Sequence, residues 1–328
     1  MKEKKVSMKH ICKALLLLLT LVLVFSPMVC GSAAAAEKTY RVAYVARAQA
    51  DSFAAWLANA IETEAKKYPN IALSIFDGEA NDEKENAMIE NAITNKFDCI
   101  IVQPNNGEAQ RPYVEKIVEA GIIAITTNAR IANVKGSSSV DADPYMQAKV
   151  NCDLALTQVP QNAKVVVLNG PPGNFHADER RRAWGKEFFE KRPDVTIVGE
   201  QIANWNKDEA MKFMEDWVQS SSVIDAVISM NDNMCAGALE VVKGNPKFDK
   251  MLAYGVDGTA EAVLLIQEGR MTATCMQSAY DLAELLLSSA NKLLTGEEKE
   301  INTDIGNPLI TKDNVEKFVE ILKAAGAL

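Results

Sequence analysis

Short apolar runs alternate along the chain with longer segments in which apolar residues recur at helical spacing. The first series predicts strands at 40–46, 71–76, 99–102 and 122–126, separated by helices at 52–67, 83–94 and 109–119. The second follows residues 141–144 with a helix at 145–158. Its predicted strands are 164–168, 196–198, 226–230, 252–256 and 272–276, and its helices are 181–191, 207–219, 233–242 and 260–268. A long helix at 279–294 is predicted last.

This alternation predicts an α/β protein, because parallel strands need crossover connections and those are usually helices. Two series predict two lobes, each a doubly wound parallel sheet covered by helices on both faces. In such sheets, ligands bind beyond the carboxyl ends of the strands. The residues directly after each predicted strand are therefore the candidates for function.

The first 36 residues predict a secretory signal peptide rather than part of the fold. Five lysines precede an apolar run at 14–25, Pro27 follows it, and four alanines at 33–36 offer a cleavage site. The run is short for a bilayer core of about 30 Å. An alternative is a lipid anchor on Cys30, although Val29 before it is unusual for that signal. The protein is accordingly expected outside the cytoplasmic membrane, in a periplasm or at the cell surface.

Charge and cysteine content exclude several classes of protein. The net charge of −9 argues against a nucleic-acid-binding face. Cys99, Cys152, Cys235 and Cys275 are scattered, with no CxxC pair, so buried free thiols are expected and neither a metal nor a cofactor is predicted. The segment GPPG at 170–173 lacks the phosphate-loop pattern, and neither GxSxG nor HExxH occurs.

Polar side chains that suit a sugar or polyol follow the predicted strands. Arg47, Arg130 and His176 lie in these segments, among several amides and carboxylates. A hydroxyl group both donates and accepts a hydrogen bond, so Asp, Asn, Gln and Arg can satisfy it fully. An aromatic ring adds affinity for the C–H face of a sugar.

The chain resembles the ribose- and galactose-type solute-binding proteins of bacterial sugar ABC transporters. The most specific segments are MNDNM at 230–234 with GAL at 237–239, YGVDGT at 254–259, ATCMQ at 273–277 and, more weakly, residues 180–188. The resemblance covers about residues 39–304. It implies two lobes joined by three crossings, near 141–143, 277–278 and 304–306. The predicted domains are 37–141 with 278–304, and 142–277 with 305–328.

The resemblance also implies which residues contact the ligand. They are Asp51, Phe53, Asn128, Arg180, Trp205, Asn231, Asp257 and Gln277, with Trp205 in the stacking position. Three departures concern the identity of the sugar, and one of them is that Phe53 is followed by Ala54 where a second aromatic residue is common. The family often has Asp-Arg where this chain has Asn128-Ala129-Arg130, and Arg47 stands where a small polar residue is usual. Helix capping is the competing explanation for Asp257 and Asn231.

The resemblance implies a non-catalytic, monomeric receptor that captures a monosaccharide or cyclic polyol and delivers it to an ABC permease. One alternative is a receptor of the same fold that passes its signal to a chemoreceptor or a sensor kinase. A secreted carbohydrate-active enzyme is a second alternative, with Asp51 and Asp257 as a carboxylate pair.

Overall fold

The computed structural model describes residues 38–221 and 223–328, and the predicted signal peptide lies outside them. The strands are β1 Tyr40–Ala46, β2 Ile71–Asp77, β3 Cys99–Val102, β4 Ile123–Thr126, β5 Ser138–Ala142, β6 Lys164–Asn169, β7 Thr196–Ile202, β8 Ala226–Ser229, β9 Leu252–Asp257, β10 Ala273–Met276, β11 Asn302–Ile305 and β12 Leu309–Thr311. The α-helices are α1 Ser52–Ala65, α2 Asp82–Thr94, α3 Gly107–Glu119, α4 Pro144–Gln158, α5 Phe175–Trp184, α6 Lys207–Ser220, α7 Asp232–Val242, α8 Ala260–Gln267, α9 Ala279–Thr295 and α10 Val315–Ala324. A π-helical turn at Gly185–Phe189 extends α5, and a 3-10 turn spans Pro246–Phe248.

In this part of the chain the strands form two six-stranded sheets, ordered β11-β5-β4-β3-β1-β2 and β12-β10-β9-β8-β6-β7. All pairings are parallel except that of β10 with β12. The first sheet with α1–α3 and α9 is called the first lobe, and the second sheet with α4–α8 and α10 the second lobe. The predicted fold class is confirmed.

The first sheet packs helices on both faces because its side chains alternate along each strand. Val42 and Tyr44 of β1 pack with Leu57 of α1 and Leu286 of α9. The intervening Ala43 and Val45 face the opposite core, with Ile89 of α2. A third cluster fills the second lobe. Within the described ranges, no helix has the length and apolar composition needed to span a bilayer.

The chain passes between the lobes at three places. These are the links from β5 to α4, from β10 to α9 and from β11 to β12. Strand β5 was not predicted, because its sequence SSVDA is polar although all five residues are buried. Its hydroxyls are satisfied locally: Ser139 Oγ lies 2.9 Å from Asn302 Oδ1, and Ser138 Oγ accepts from the Ile301 amide. The domain boundaries stay a prediction.

The four cysteines of the described part are Cys99, Cys152, Cys235 and Cys275. All are buried and free. Burial raises the pKa of each thiol. They are therefore poor nucleophiles.

Candidate functional site

A small cavity lies between the two lobes, at the carboxyl ends of their strands. Side chains that follow β1, β4, β6, β7, β8 and β9 meet there. The lining residues are Arg47, Asp51, Phe53, Asn128, Asn174, His176, Arg180, Trp205, Asn231 and Asp257. A larger open groove runs between α1 and α10, but Glu261 is the one charged residue in its lining. The smaller cavity is the candidate site because it gathers charged and amide groups.

Nine of the eleven residues predicted from the sequence line this cavity. The other two, Arg130 and Gln277, are not among its lining residues and instead contact groups around it. Asn174 lines it and was not predicted. The signal for Asn174 was its position, since it follows the GPPG turn after β6. The ligand-contact assignment of all these residues stays a prediction.

Three lining residues also begin helices. The side chains of Asp51, Asn174 and Asn231 accept hydrogen bonds from the first-turn amides of α1, α5 and α7. Asp257 does not cap its neighbouring helix, because Thr259 Oγ1 accepts from the Ala262 amide there. Capping and lining the cavity are therefore compatible at Asp51 and Asn231, and capping does not explain Asp257.

Three other lining residues adopt a backbone conformation that non-glycine residues rarely adopt. The φ angles are +46° at Asn128, +62° at Trp205 and +126° at Asp257. Such conformations cost about 1–3 kcal/mol each and persist where the surrounding structure enforces them. Their occurrence together at one cavity is typical of a site that orients its side chains.

Each lobe contributes one arginine–aspartate pair to the cavity. In the first lobe Arg47 Nη2 lies 3.1 Å from Asp51 Oδ1, and in the second Arg180 Nη2 lies 3.6 Å from Asp257 Oδ1. Burial lowers the pKa of Arg180, which Asp257 partly offsets. Burial also raises the pKa of Asp257 well above its ordinary range, against the lowering effect of Arg180. In its protonated form, an aspartic acid side chain donates a hydrogen bond as well as accepting one.

In each lobe, a buried glutamine forms hydrogen bonds with polar groups of the site. Gln103 Oε1 accepts from the Tyr44 hydroxyl and the Arg47 amide, and its Nε2 donates to Asn128 Oδ1 over 2.7 Å. In the second lobe Gln147 Oε1 accepts from Arg180 Nε and Nη2 over 3.0 and 2.8 Å. Gln147 was not identified from the sequence because it lies on α4, away from the strand ends.

His176 joins the lobes through Asp141 of β5. Its Nε2 lies 2.9 Å from Asp141 Oδ1, and Arg180 Nη2 lies 3.3 Å from its Nδ1. A guanidinium only donates, so Nδ1 accepts and the proton of neutral His176 resides on Nε2. Burial lowers the pKa of His176, against the opposing effect of Asp141. Burial alone would raise the pKa of Asp141, but His176 and Arg130 lower it.

Arg130 and Gln277 lie beside the cavity, at the connections between the lobes. Arg130 Nη2 donates to Asp304 Oδ1 over 2.6 Å and to the Ala142 carbonyl oxygen. Gln277 Oε1 accepts from Gln147 Nε2 over 2.8 Å, and its Nε2 is buried without a partner in the described structure. Arg130 is therefore bound to the β5–β11 edge, whereas neither N–H donor of Gln277 Nε2 has a partner among the described residues.

A second contact between the lobes lies at Asn174. Its Nδ2 donates to the carbonyl oxygens of Pro104 and Asn105 over 3.4 and 3.2 Å, and the nearby Gly107 amide donates to Gly173 O over 3.0 Å. The same Asn174 side chain caps α5 through Oδ1. This contact holds the lobes together directly beside the cavity.

A family model described as a periplasmic binding protein domain matches residues 42–298. The chain belongs to the periplasmic binding protein family. Its curated relatives include a putative rhizopine-binding protein of Rhizobium meliloti, 28% identical over 82% of this chain and 89% of that protein. A xylitol-binding protein of Mycolicibacterium smegmatis is 27% identical over 77% and 72% of the two chains. The ribose import binding protein of Bacillus subtilis is 26% identical over 77% and 80%.

Solved structures of periplasmic binding proteins share the fold over nearly their whole length. The Caulobacter myo-inositol binding protein, solved with myo-inositol, gives a TM-score of 0.81 at 25% identity and covers 87% of this chain and 97% of its own. A galactofuranose binding protein gives 0.82 at 21% identity, with 88% and 99% covered. Members of this sugar and polyol import family are binding proteins, and the chain is a binding protein rather than an enzyme.

In this periplasmic binding protein, Glu85 supports the loop after β3 that meets Asn174. The side chain is fully buried; Oε2 accepts from the Asn105 amide over 3.0 Å, and Oε1 has no partner in the described structure. Burial raises the pKa of Glu85 to about 8, against the lowering effect of the Asn105 amide. Folded Glu85 therefore keeps its proton up to about pH 8, whereas the unfolded carboxyl ionises near its ordinary value.

We expect Glu85→Gln to remove a pH dependence of stability. Between about pH 5 and 8 the native state binds more protons at this site than the unfolded state, so stability falls as pH rises through that window. The loss amounts to about 2–4 kcal/mol for a shift of this size. Urea unfolding at pH 5 and 9 should show it in the wild type and in Glu83→Gln, an exposed control on α2. An unchanged pH dependence in Glu85→Gln would contradict the assignment.

We expect Asn174→Asp to loosen the contact between the lobes without removing the helix cap. The carboxylate still accepts from the α5 amides, but it has no donor for Pro104 and Asn105 and repels their carbonyls. The dissociation rate constant of bound ligand should rise about 3- to 10-fold, as expected for the loss of two long hydrogen bonds from one amide. Asn206→Asp, which changes the α6 cap in the same way, is the control in stopped-flow measurements. Equal rates for both variants would exclude a role of Asn174 in lobe contact.

Proposed function

We propose that the protein captures a monosaccharide or cyclic polyol in the cavity between the lobes, as a monomer outside the cytoplasmic membrane, and delivers it to an ABC permease. The cavity supports this proposal by its chemistry. Amide, carboxylate and guanidinium groups converge on it from both lobes, and each suits a hydroxyl. Of the ligands named for the relatives, ribose is a monosaccharide and xylitol is an open-chain polyol, so both are polyhydroxylated.

The proposal rests on hydrogen-bonding groups at the cavity that have no partner in the described structure. Asp51 Oδ2 and Trp205 Nε1 are buried and have no partner among the described residues. In the same part of the chain, the Asp257 carboxylate accepts no hydrogen bond. Leaving such groups buried and unpaired costs about 1–3 kcal/mol each. A hydroxylated ligand supplies the missing acceptors and donors.

Thermal unfolding with a ligand panel tests the proposal. Ribose, xylitol, myo-inositol and a sugar acid should be compared, because a ligand that binds the native state raises the melting temperature by mass action. Calorimetry then gives the affinity and stoichiometry of each hit. We expect at least one neutral polyol to bind at one site per monomer. A melting temperature unchanged by every compound would contradict the proposal.

Delivery to a permease needs a separate test in the source organism. Deleting the gene should abolish high-affinity uptake of the labelled ligand, and the cavity variant Asp257→Ala should fail to restore it. The fold also serves sensing, since a fructose-binding periplasmic domain of a hybrid two-component system matches with a TM-score of 0.80 at 20% identity. Normal uptake after deletion would favour such a sensory role instead.

A further inference from the structure

The position of the Trp205 ring is fixed by its surroundings. Trp205 follows Asn204, and both adopt positive φ angles, +62° and +50°. Its carbonyl oxygen accepts from Asn233 Nδ2 over 2.8 Å. A Cβ atom at Gly170 would lie 2.3 Å from the indole ring, so only glycine permits this close approach. The ring therefore has little freedom to turn within the cavity.

The surface of the indole ring is already contacted by protein groups. The guanidinium carbons of Arg47 and Arg180, one from each lobe, lie over it at 5.9 and 5.8 Å from the ring centroid. The Gly170 backbone packs against its benzo side. Only 5% of the Trp205 surface is exposed. A stacking role for Trp205 would use only the faces of the ring. It would not involve the N–H group, which is the most polar part of the ring.

That N–H group has no hydrogen-bond acceptor in the described structure. Nε1 of Trp205 is buried, yet Trp205 lines the cavity. Indole nitrogen only donates, so an acceptor must come from outside the described residues if it is to be satisfied. Buried Trp N–H groups usually have a partner. A ligand oxygen in the cavity is the group that can fill this role.

We propose that Trp205 recognises the ligand by donating a hydrogen bond from Nε1 to a ligand oxygen. The inference rests on the proposed function and goes beyond the stacking role that the family resemblance implies. It makes Trp205 a specificity-determining residue, because a ligand without an oxygen at this point leaves the N–H unpaired. Replacing the ring by another aromatic residue should therefore not preserve affinity.

Indole N–H spectra of the complete mature chain test this directly, with ribose, xylitol and myo-inositol as probes. The Nε1–H resonance of Trp205 is assigned by triple-resonance experiments. On saturation with a probe that binds, we expect it to move downfield and to exchange more slowly with solvent. Independently, Trp205→Phe should weaken the affinity for that probe by about 5- to 150-fold, the range for an unpaired buried polar group.

Trp56→Phe is the matched control. Trp56 Nε1 is also buried and unpartnered among the described residues, but Trp56 does not line the cavity. We expect its replacement to change affinity less than twofold. An unshifted Trp205 resonance at saturation, or wild-type affinity in Trp205→Phe, would overturn the inference while leaving the proposed function intact. Binding of none of the three probes would contradict the proposed function, and this inference with it.

Discussion

We expect replacement of Arg180 with Met to lower the free energy of unfolding by about 3–5 kcal/mol, the usual cost of leaving a buried charge or its partners uncompensated. Arg180 is almost fully buried and bonds to Gln147, to the Met230 carbonyl and to His176, with Asp257 3.6 Å away. Methionine fills a similar volume but satisfies none of these groups. Urea unfolding measures the loss, and calorimetry should show weaker ligand binding.

Arg181→Met is the matched control for this prediction. Arg181 is the next residue on α5 and pairs with Glu200, but both side chains are about one-third exposed. Partly exposed pairs contribute less than about 1 kcal/mol. In Arg180→Met, part of the lost stability should return at lower pH. There the Asp257 carboxyl, whose pKa is raised, is protonated and is no longer a buried unpaired charge. Equal destabilisation by the two substitutions would show that burial of Arg180 does not matter.

Asp257→Ala is expected to weaken ligand affinity by about 1–3 kcal/mol, or about 5- to 150-fold. The strained backbone at Asp257 directs a carboxylate that accepts no hydrogen bond from the described residues into the cavity. Alanine leaves the ligand hydroxyl without its partner. Isothermal calorimetry with the tightest polyol measures the effect, and Asp257→Asn separates the loss of charge from the loss of shape.

The control for Asp257 is Asp77→Ala. Asp77 also ends a strand, but its Oδ1 accepts from the amides of Gln49 and Glu79 and it does not line the cavity. We expect its affinity to match the wild type. Unchanged affinity in Asp257→Ala would remove this residue from the binding site.

The alternation of apolar runs and helical periodicity was sufficient to predict the two sheets. It failed at β5, a fully buried strand of mostly polar residues, and at β11, a partly exposed strand whose Asn302 side chain bonds to Ser139 of β5. The burial of β5 depends on the partner strand β11, which lies about 160 residues away in sequence. No local pattern contains that information.

The strand-end rule located most of the cavity lining for a physical reason. Parallel strands bring their carboxyl ends to one edge of each sheet, so Asn231 and Asp257 meet at the edge of the second sheet, and Asn128 lies at the corresponding edge of the first. Side-chain direction could not be predicted in the same way. Arg130 follows two residues with positive φ and turns to Asp304, whereas Gln147 reaches Arg180 from a helix.

Asp51 and Asn231 each line the cavity and also cap a helix. These two roles limit which substitutions can change the ligand that the protein binds. Each side chain lines the cavity with the same carboxylate or amide group that starts a helix. Random variation at these positions would therefore eliminate many variants through misfolding before their selectivity could be measured. Libraries of variants that aim to change the ligand preference should first vary Arg47, Phe53 and Asn128, because these side chains do not cap a helix.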